Sequence, residues 1–198
     1  MRLLFIHAHP VPESFSTALL AAAEETARAQ GHEVRLIDLH AEGFNPVMSA
    51  DERRGYTEDV PIPADLVPHV DALQWAEGLI LVYPTWWYAQ PAILKGWMDR
   101  VWRPGIAFTL HEEGQRLRPA LSNIRLIGVI TTFGSPWWFW TFLMGAPGRK
   151  IVLRGLRFCT NARTRTFWLG LHAIEERADR ARRRYIERVR ARIARIPL

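Results

Sequence analysis

Cysteine is almost absent from this chain: among 198 residues only Cys159 occurs, so no intramolecular disulfide can form. A reducing cytoplasm is the compartment this suggests, with Cys159 an inert thiol in the apolar run LRFC. Long apolar runs are also missing. The greasiest stretch, 124–144, is interrupted by Arg125, Gly128, Gly134, Ser135 and Pro136, whereas a membrane-crossing helix needs ~20 mostly apolar residues. At the start, MRLLFI reaches His7 and His9 too soon to form the apolar core of a secretion signal, so export is not expected. No glycine-rich phosphate loop of the Rossmann or P-loop kind is present. His7 and His9 stand two apart at a strand end, but no aspartate or third histidine follows in that loop, and no metal is expected. An acidic surplus is lacking as well. The net charge is +6, with nine arginines between Arg177 and Arg195. Ala178, Ala181, Tyr185, Val189, Ile193 and Ile196 recur there at steps of three and four, which predicts a core-packed helix with arginines on its solvated faces. No nucleic-acid partner is expected.

What the sequence does contain is alternation of strand and helix without repeats or linkers. Apolar runs predict strands over 2–7, 33–38, 78–83 and 125–131, and a fifth near 156–161, extended through 166–169. Helical patterns occupy 18–29, 66–75, 91–102, a short piece near 149–154, and the C-terminal segment. A long excursion over 39–63 carries Gly43, Asn45-Pro46, Gly55, Pro61 and Pro63. The pattern predicts an α/β fold, flavodoxin-like and doubly wound, with a five-stranded parallel sheet in order 2-1-3-4-5 and one domain over 1–198. In such sheets ligands bind at the carboxyl ends of strands, near the point where strand order reverses.

Three loops therefore carry the candidate site. After the first strand, His7 to Ser16 leads into a helix N-terminus suited to phosphate, where Ser14 and Ser16 can donate hydroxyls or act as helix caps. After the third, Pro84, Thr85, Trp86, Trp87 and Tyr88 place three consecutive aromatics at the sheet mouth, as a flat ligand would require; a plug beneath the next helix would use the same residues. After the fourth, Thr131, Thr132, Phe133 and Gly134 offer hydroxyls and amides, and an aromatic run follows from Trp137 to Trp140. Taken alone, that run would suit a dimer contact or a membrane-surface patch.

The segment PTWWYAQPAILKGWMDRVWRPGIAF at 84–108 resembles the signature of the NAD(P)H:quinone oxidoreductase family, which includes ancillary subunits of potassium efflux systems. Supporting matches are AHP…SFS at 8–16, Phe44-Asn45-Pro46, TTFG at 131–134 and LRFC at 156–159. The resemblance implies bound FAD or FMN, NAD(P)H as co-substrate, a small acceptor such as a quinone, and a homodimer with sites at the subunit interface. It further implies that His9, Ser14, Phe15 and Ser16 hold the flavin phosphates. Pro84, Thr85, Trp86, Trp87 and Tyr88 would line the isoalloxazine, and Thr131, Thr132, Phe133 and Gly134 would meet its polar edge. One exposed flavin face would give a ping-pong cycle.

Two departures stand out. The tyrosine and histidine that follow the family's TTGG-like loop are missing, the tyrosine site falling near Phe139, and Phe133 replaces a glycine. Charge stabilisation would then rest on backbone amides, the Trp137 or Trp138 indole, or His172. Arg103, Arg116 and Arg118 could meet a 2′-phosphate or be surface arginines. A non-catalytic electron carrier and a regulatory subunit of a membrane transporter are the competing functions; carriers of that kind are usually acidic, and this chain is basic.

Overall fold

The computed structural model describes residues 1–58, 60–109 and 117–198. Strands β1 (Arg2–His7), β2 (Glu33–Asp38), β3 (Gly78–Thr85), β6 (Leu126–Phe133) and β7 (Arg165–Leu171) form a five-stranded sheet in the order β2-β1-β3-β6-β7, every pairing parallel. This is the expected 2-1-3-4-5 order. Two-residue strands β4 (Phe108–Thr109) and β5 (Arg118–Pro119) make a separate small ladder. The central strands β3 and β6 are buried almost throughout, which explains why both read as unbroken apolar runs.

Helices cover both faces. On one side α1 (Phe15–Ala29) and α6 (Asp179–Ile193) pack together over Leu3, Phe5, Ile80, Val82 and Ile130. Of the stripe read for α6, Tyr185, Val189, Ile193 and Ile196 face the core, whereas Ala181 is half-buried and Ala178, just before the helix, is exposed. On the other side α3 (Val67–Trp75) and α4 (Ala92–Val101) cover Leu4, Ile6, Leu79, Leu81 and Val129. The long excursion includes one short helix, α2 (Ala50–Arg54), closed by a capping box between Ser49 and Glu52. It is tied down at Arg100, whose buried guanidinium pairs with Glu52 (2.9 Å) and Asp65 (2.8 Å) and donates to the Asn45 carbonyl (2.7 Å).

The fifth strand differs from the expectation. Leu156 closes a π-helical turn (Ile151–Leu156) that continues α5 (Pro147–Lys150), the chain stays helical through Phe158, and the strand is Arg165–Leu171. A short apolar run such as LRFC fits a buried helical turn as well as a strand. RTFWLGL has the β-branched and aromatic content a strand favours, and its Phe167 and Leu169 alternate toward the α1/α6 core. The aromatic stretch after β6 is helical too, with a π-helical turn at Phe139–Leu143.

Candidate active site

At the carboxyl ends of β3 and β6 the structure opens a cavity of about 660 Å³. Pro84, Thr85, Trp86, Trp87 and Tyr88 line one side and Thr132, Phe133, Gly134 and Ser135 the other, with Ile174 and Glu175 closing the rim. Register brings the two walls together, since Pro84 pairs with Thr132 and Thr85 with Phe133. Two of the three expected loops thus converge on one space. A cavity of about 720 Å³ beside β2 and α3 is larger, but it lies away from the ends of the central strands.

The second loop is a tight turn. Trp86 and Ala89 exchange backbone hydrogen bonds (Trp86 N–H to Ala89 O, 3.2 Å; Ala89 N–H to Trp86 O, 3.1 Å). Trp87 and Tyr88 between them have φ of 46° and 67°, the left-handed pair of a type I′ turn without the glycine or asparagine such turns favour. Strain of this kind persists only where the surroundings hold it. Here the Trp140 indole donates to the Tyr88 carbonyl (3.1 Å) and Gln90 donates to Gly148 O (3.0 Å). A Cβ at Gly148 would press on Ala89 and the Tyr88 carbonyl, so α5 is seated directly on this loop. Trp87 itself is 91% exposed, which removes the reading of this residue as a core plug.

The third loop is backed by an aromatic stack. Phe133 is buried and lies flat on His172 (centroids 4.0 Å apart, planes 6° apart), with Trp140 against Phe133 (4.6 Å) and Trp168 stacked on Trp140 (5.6 Å). The ring that replaces the family glycine therefore turns into the back wall. Burial lowers the His172 pKa against a raising contact from Ser135, so the ring is neutral near pH 7. At Gly134 a Cβ would meet nothing within 4 Å, leaving the backbone open to the cavity. Thr131 is buried behind the wall, where its hydroxyl shares a hydrogen bond with that of Thr85 (2.9 Å) and its carbonyl accepts from the Tyr185 phenol (3.1 Å).

The first loop stands beside the cavity. His9 approaches Trp86 (ring centroids 6.2 Å apart), and its Nδ1 accepts from the Val11 amide at 3.0 Å. Nδ1 also lies 3.2 Å from the Val11 carbonyl. Burial lowers the His9 pKa, with the neighbouring His7 and His40 adding to the effect and Val11 opposing it. Ser14 caps α1 by accepting from the Thr17 amide (3.2 Å), and Ser16 is buried in the first turn. Phe15 points the other way, toward Tyr185. His7 Nδ1 donates to the Asp38 carboxylate (2.8 Å), so the two histidines have separate partners and do not converge. Burial opposes ionisation of Asp38, but the Ala41 amide, the His7 ring and the His40 amide hold its carboxyl below the usual range.

The rim residues Ile174 and Glu175 were missed by sequence reasoning. They follow the carboxyl end of β7, and a fifth strand drawn at 165–171 would have pointed to them. Arg103, expected at the surface or on a phosphate, is buried with its guanidinium over Tyr56 (5.7 Å); Arg118 lies in β5 away from the cavity, and Arg116 lies outside the described residues.

Comparison with known proteins fits this geometry. Residues 1–193 match the family described as having a flavodoxin-like fold. Rat NAD(P)H dehydrogenase (quinone) 1 is 32% identical over 153 residues, covering 68% of this chain and 54% of that protein. The chain belongs to the NAD(P)H:quinone oxidoreductase family. A ribosyldihydronicotinamide dehydrogenase-like protein, traD of Penicillium crustosum, is 35% identical over 133 residues, covering 59% of this chain and 49% of its own. This chain spans about half the length of the curated relatives it matches. Among solved structures, Smu.1420 from Streptococcus mutans UA159 superposes with a TM-score of 0.86 at 29% identity, covering 99% of this chain and 100% of that one. The NAD(P)H:quinone oxidoreductase from Methanothermobacter marburgensis gives 0.84 at 26% identity, covering 100% and 99%. Among the described residues no helix is long and apolar enough to cross a membrane.

Proposed function

We propose that this family member is a flavin-dependent oxidoreductase that carries hydride from NAD(P)H to a quinone or a similar small acceptor. The observation that supports this most is the cavity at the β3 and β6 ends, flanked by Trp86 and Tyr88 on one side and by the open Gly134 backbone on the other. These residues fit an isoalloxazine: flat apolar surfaces for its faces, and amide and hydroxyl donors for its polar edge. The N-terminus of α1, with its free amides and the Ser14 and Ser16 hydroxyls, fits the phosphate of FMN or FAD.

When bound, flavin supplies two-electron chemistry, taking hydride from NAD(P)H and giving it to the acceptor in a second half-reaction. The chain's own residues position and polarise. Amides at Gly134 and Ser135, which line the cavity, would hold the edge of a bound flavin where negative charge develops, and a preorganised donor there is the usual source of such stabilisation. Tyr88 sits 5.8 Å from Phe139, ring to ring, so a phenol from the second loop stands next to the position where relatives carry a tyrosine. We assign Tyr88 the hydrogen bond to the acceptor carbonyl. His9, beside Trp86, adds a polar ring at the phosphate end. Nicotinamide and acceptor would use this one cavity in turn, which is the basis for a ping-pong order.

The reading includes a homodimer, as the resemblance implies. An absorption spectrum of the purified protein, followed by anaerobic titration with NADH and with NADPH, tests the core of the proposal. Bleaching of a flavin band by either, and its return on addition of a soluble benzoquinone, is expected. Failure to bind both FMN and FAD by fluorescence quenching would remove the cofactor and the enzyme together.

A further inference from the structure

The left-handed turn at Trp87 and Tyr88 has no cause within itself. Neither residue is a glycine or an asparagine, yet both have positive φ (46° and 67°). The Trp86–Ala89 pairing is an isolated bridge, and β3 pairs only in parallel with its neighbours, so no flanking antiparallel ladder selects a type I′ turn through its twist. A type I turn would close the same two ends with ordinary φ values at both central residues. The hand of the turn is therefore imposed from outside.

The outside contact comes from the segment after β6. The Trp140 indole N–H donates to the Tyr88 carbonyl at 3.1 Å, and among the described residues no other side chain donates to a carbonyl of this turn. Types I and I′ are mirror images, so inverting the turn carries its central peptide and both side chains to the opposite side and breaks that hydrogen bond. Trp140 is suited to act as a fixed post. It is buried, with Phe133 against one side (4.6 Å) and Trp168 stacked on it (5.6 Å), and its own carbonyl accepts from the Ala146 amide (2.9 Å). Tyr88 packs against the same small cluster. Phe133 belongs to the opposite wall of the cavity, so one indole ties the two walls together. All these contacts lie inside one chain, and they hold whatever surface a second copy covers.

We propose that Trp140 is a positioning residue whose indole N–H selects the left-handed form of the Trp87–Tyr88 turn and thereby sets where the Tyr88 phenol stands in the cavity. Trp140 is not among the residues that line the cavity, so its effect on an acceptor passes through Tyr88. This inference rests on the role given to Tyr88 above.

Trp140→Phe keeps an aromatic ring and removes the donor. Hydrogen exchange at the Trp86 and Ala89 amides, followed by NMR in flavin-free protein, tests the turn without reductant or acceptor, so its failure and a failure of the oxidoreductase reading are separate results. Losing one hydrogen bond should speed exchange there about fivefold beyond any change at the amides of β1 and β3. At saturating flavin, kcat/KM for a benzoquinone should fall about fivefold, whereas ferricyanide, which takes electrons without a hydrogen bond from a phenol, should be reduced within about twofold of the original rate. In a Tyr88→Phe background the same change should have no further effect on the quinone, because the group it positions is gone. Gly148→Ala places a methyl 3.2 Å from the Ala89 Cα and the Tyr88 carbonyl, so it presses on the turn from α5 and should reproduce the pattern; it carries the test if Trp140→Phe does not fold. The proposal is overturned by unchanged exchange at Trp86 and Ala89 in the folded variant, by an equal loss with ferricyanide, or by effects of Trp140→Phe and Tyr88→Phe on the quinone that simply add.

Discussion

Trp87 separates the two roles its loop could have, because one substitution there should move stability and ligand affinity in opposite directions. Its φ of 46° is left-handed, a conformation that costs a residue with a Cβ about 1–2 kcal/mol. Replacement by glycine relieves that cost but gives the unfolded chain about 0.4–1 kcal/mol of extra freedom. The net gain for Trp87→Gly is about 0.5–1 kcal/mol, which for a chain of this size raises Tm by roughly 1–4 °C. At 91% exposure there is almost no buried surface to lose. Trp87→Ala keeps the left-handed penalty and should leave the apoprotein within about 0.5 kcal/mol of its starting stability. If the indole stacks on the flavin, both variants lose about 1–3 kcal/mol of flavin affinity, about 5- to 150-fold in Kd. Thermal melts of apoprotein and fluorescence titration with FMN and FAD measure the two quantities. A fall in apoprotein stability of several kcal/mol with flavin binding unchanged would refute the reasoning.

Other outcomes follow from the same contacts. Tyr88→Phe should lower kcat/KM for a quinone at least about tenfold with flavin binding retained, since it removes one hydrogen-bond donor; steady-state kinetics at several quinone concentrations decide this. Arg100→Met leaves the Glu52 and Asp65 carboxylates without their shared cation and should cost about 3–5 kcal/mol in a urea titration. Burial lowers the pKa of both His69 and His172, with Asp65 opposing and Arg100 reinforcing the effect at His69, and the Ser135 contact opposing it at His172. The unfolded chain therefore binds more protons than the folded one just below pH 6.5, and stability should fall as pH drops from about 6.5 toward the lower folded values. His69→Gln should flatten that part of the pH profile, as measured by Tm across pH 5 to 7; an unchanged slope would show that the ring is not buried neutral.

The sheet was legible because β3 and β6 are buried on both faces and so appear as uninterrupted apolar runs, and because helix and strand alternate along the chain. Their carboxyl ends then located Trp86, Tyr88, Thr132 and Gly134 without further information. The last strand was not legible in the same way. Leu156 and Cys159 are buried while Phe158 is 56% exposed, a pattern a helical turn and a short strand share, and only the pairing of Arg165–Leu171 with β6 resolves it. Displacing that strand hid Glu175. The direction of Phe133 was equally hidden, because it depends on His172, Trp140 and Trp168 arriving from elsewhere in the chain.

The most recognisable motif of the sequence, PAILKGW, turns out to act mainly through packing. A Cβ at Gly96 would collide with Pro46, so α4 can lie against the long excursion only with glycine at that position. One turn further along the same helix, Arg100 donates to the Asn45 carbonyl and lies over the Phe44 ring (5.5 Å). Phe44-Asn45-Pro46 and PAILKGW are therefore two halves of one contact, and their joint presence reports a shared scaffold more than a shared substrate. Gly96→Ala should test this. The added methyl meets backbone and a rigid proline ring, so it should destabilise the protein by about 1–3 kcal/mol while leaving kcat/KM of the folded fraction unchanged. A stable Gly96→Ala protein with impaired turnover would instead place the motif in the catalytic machinery.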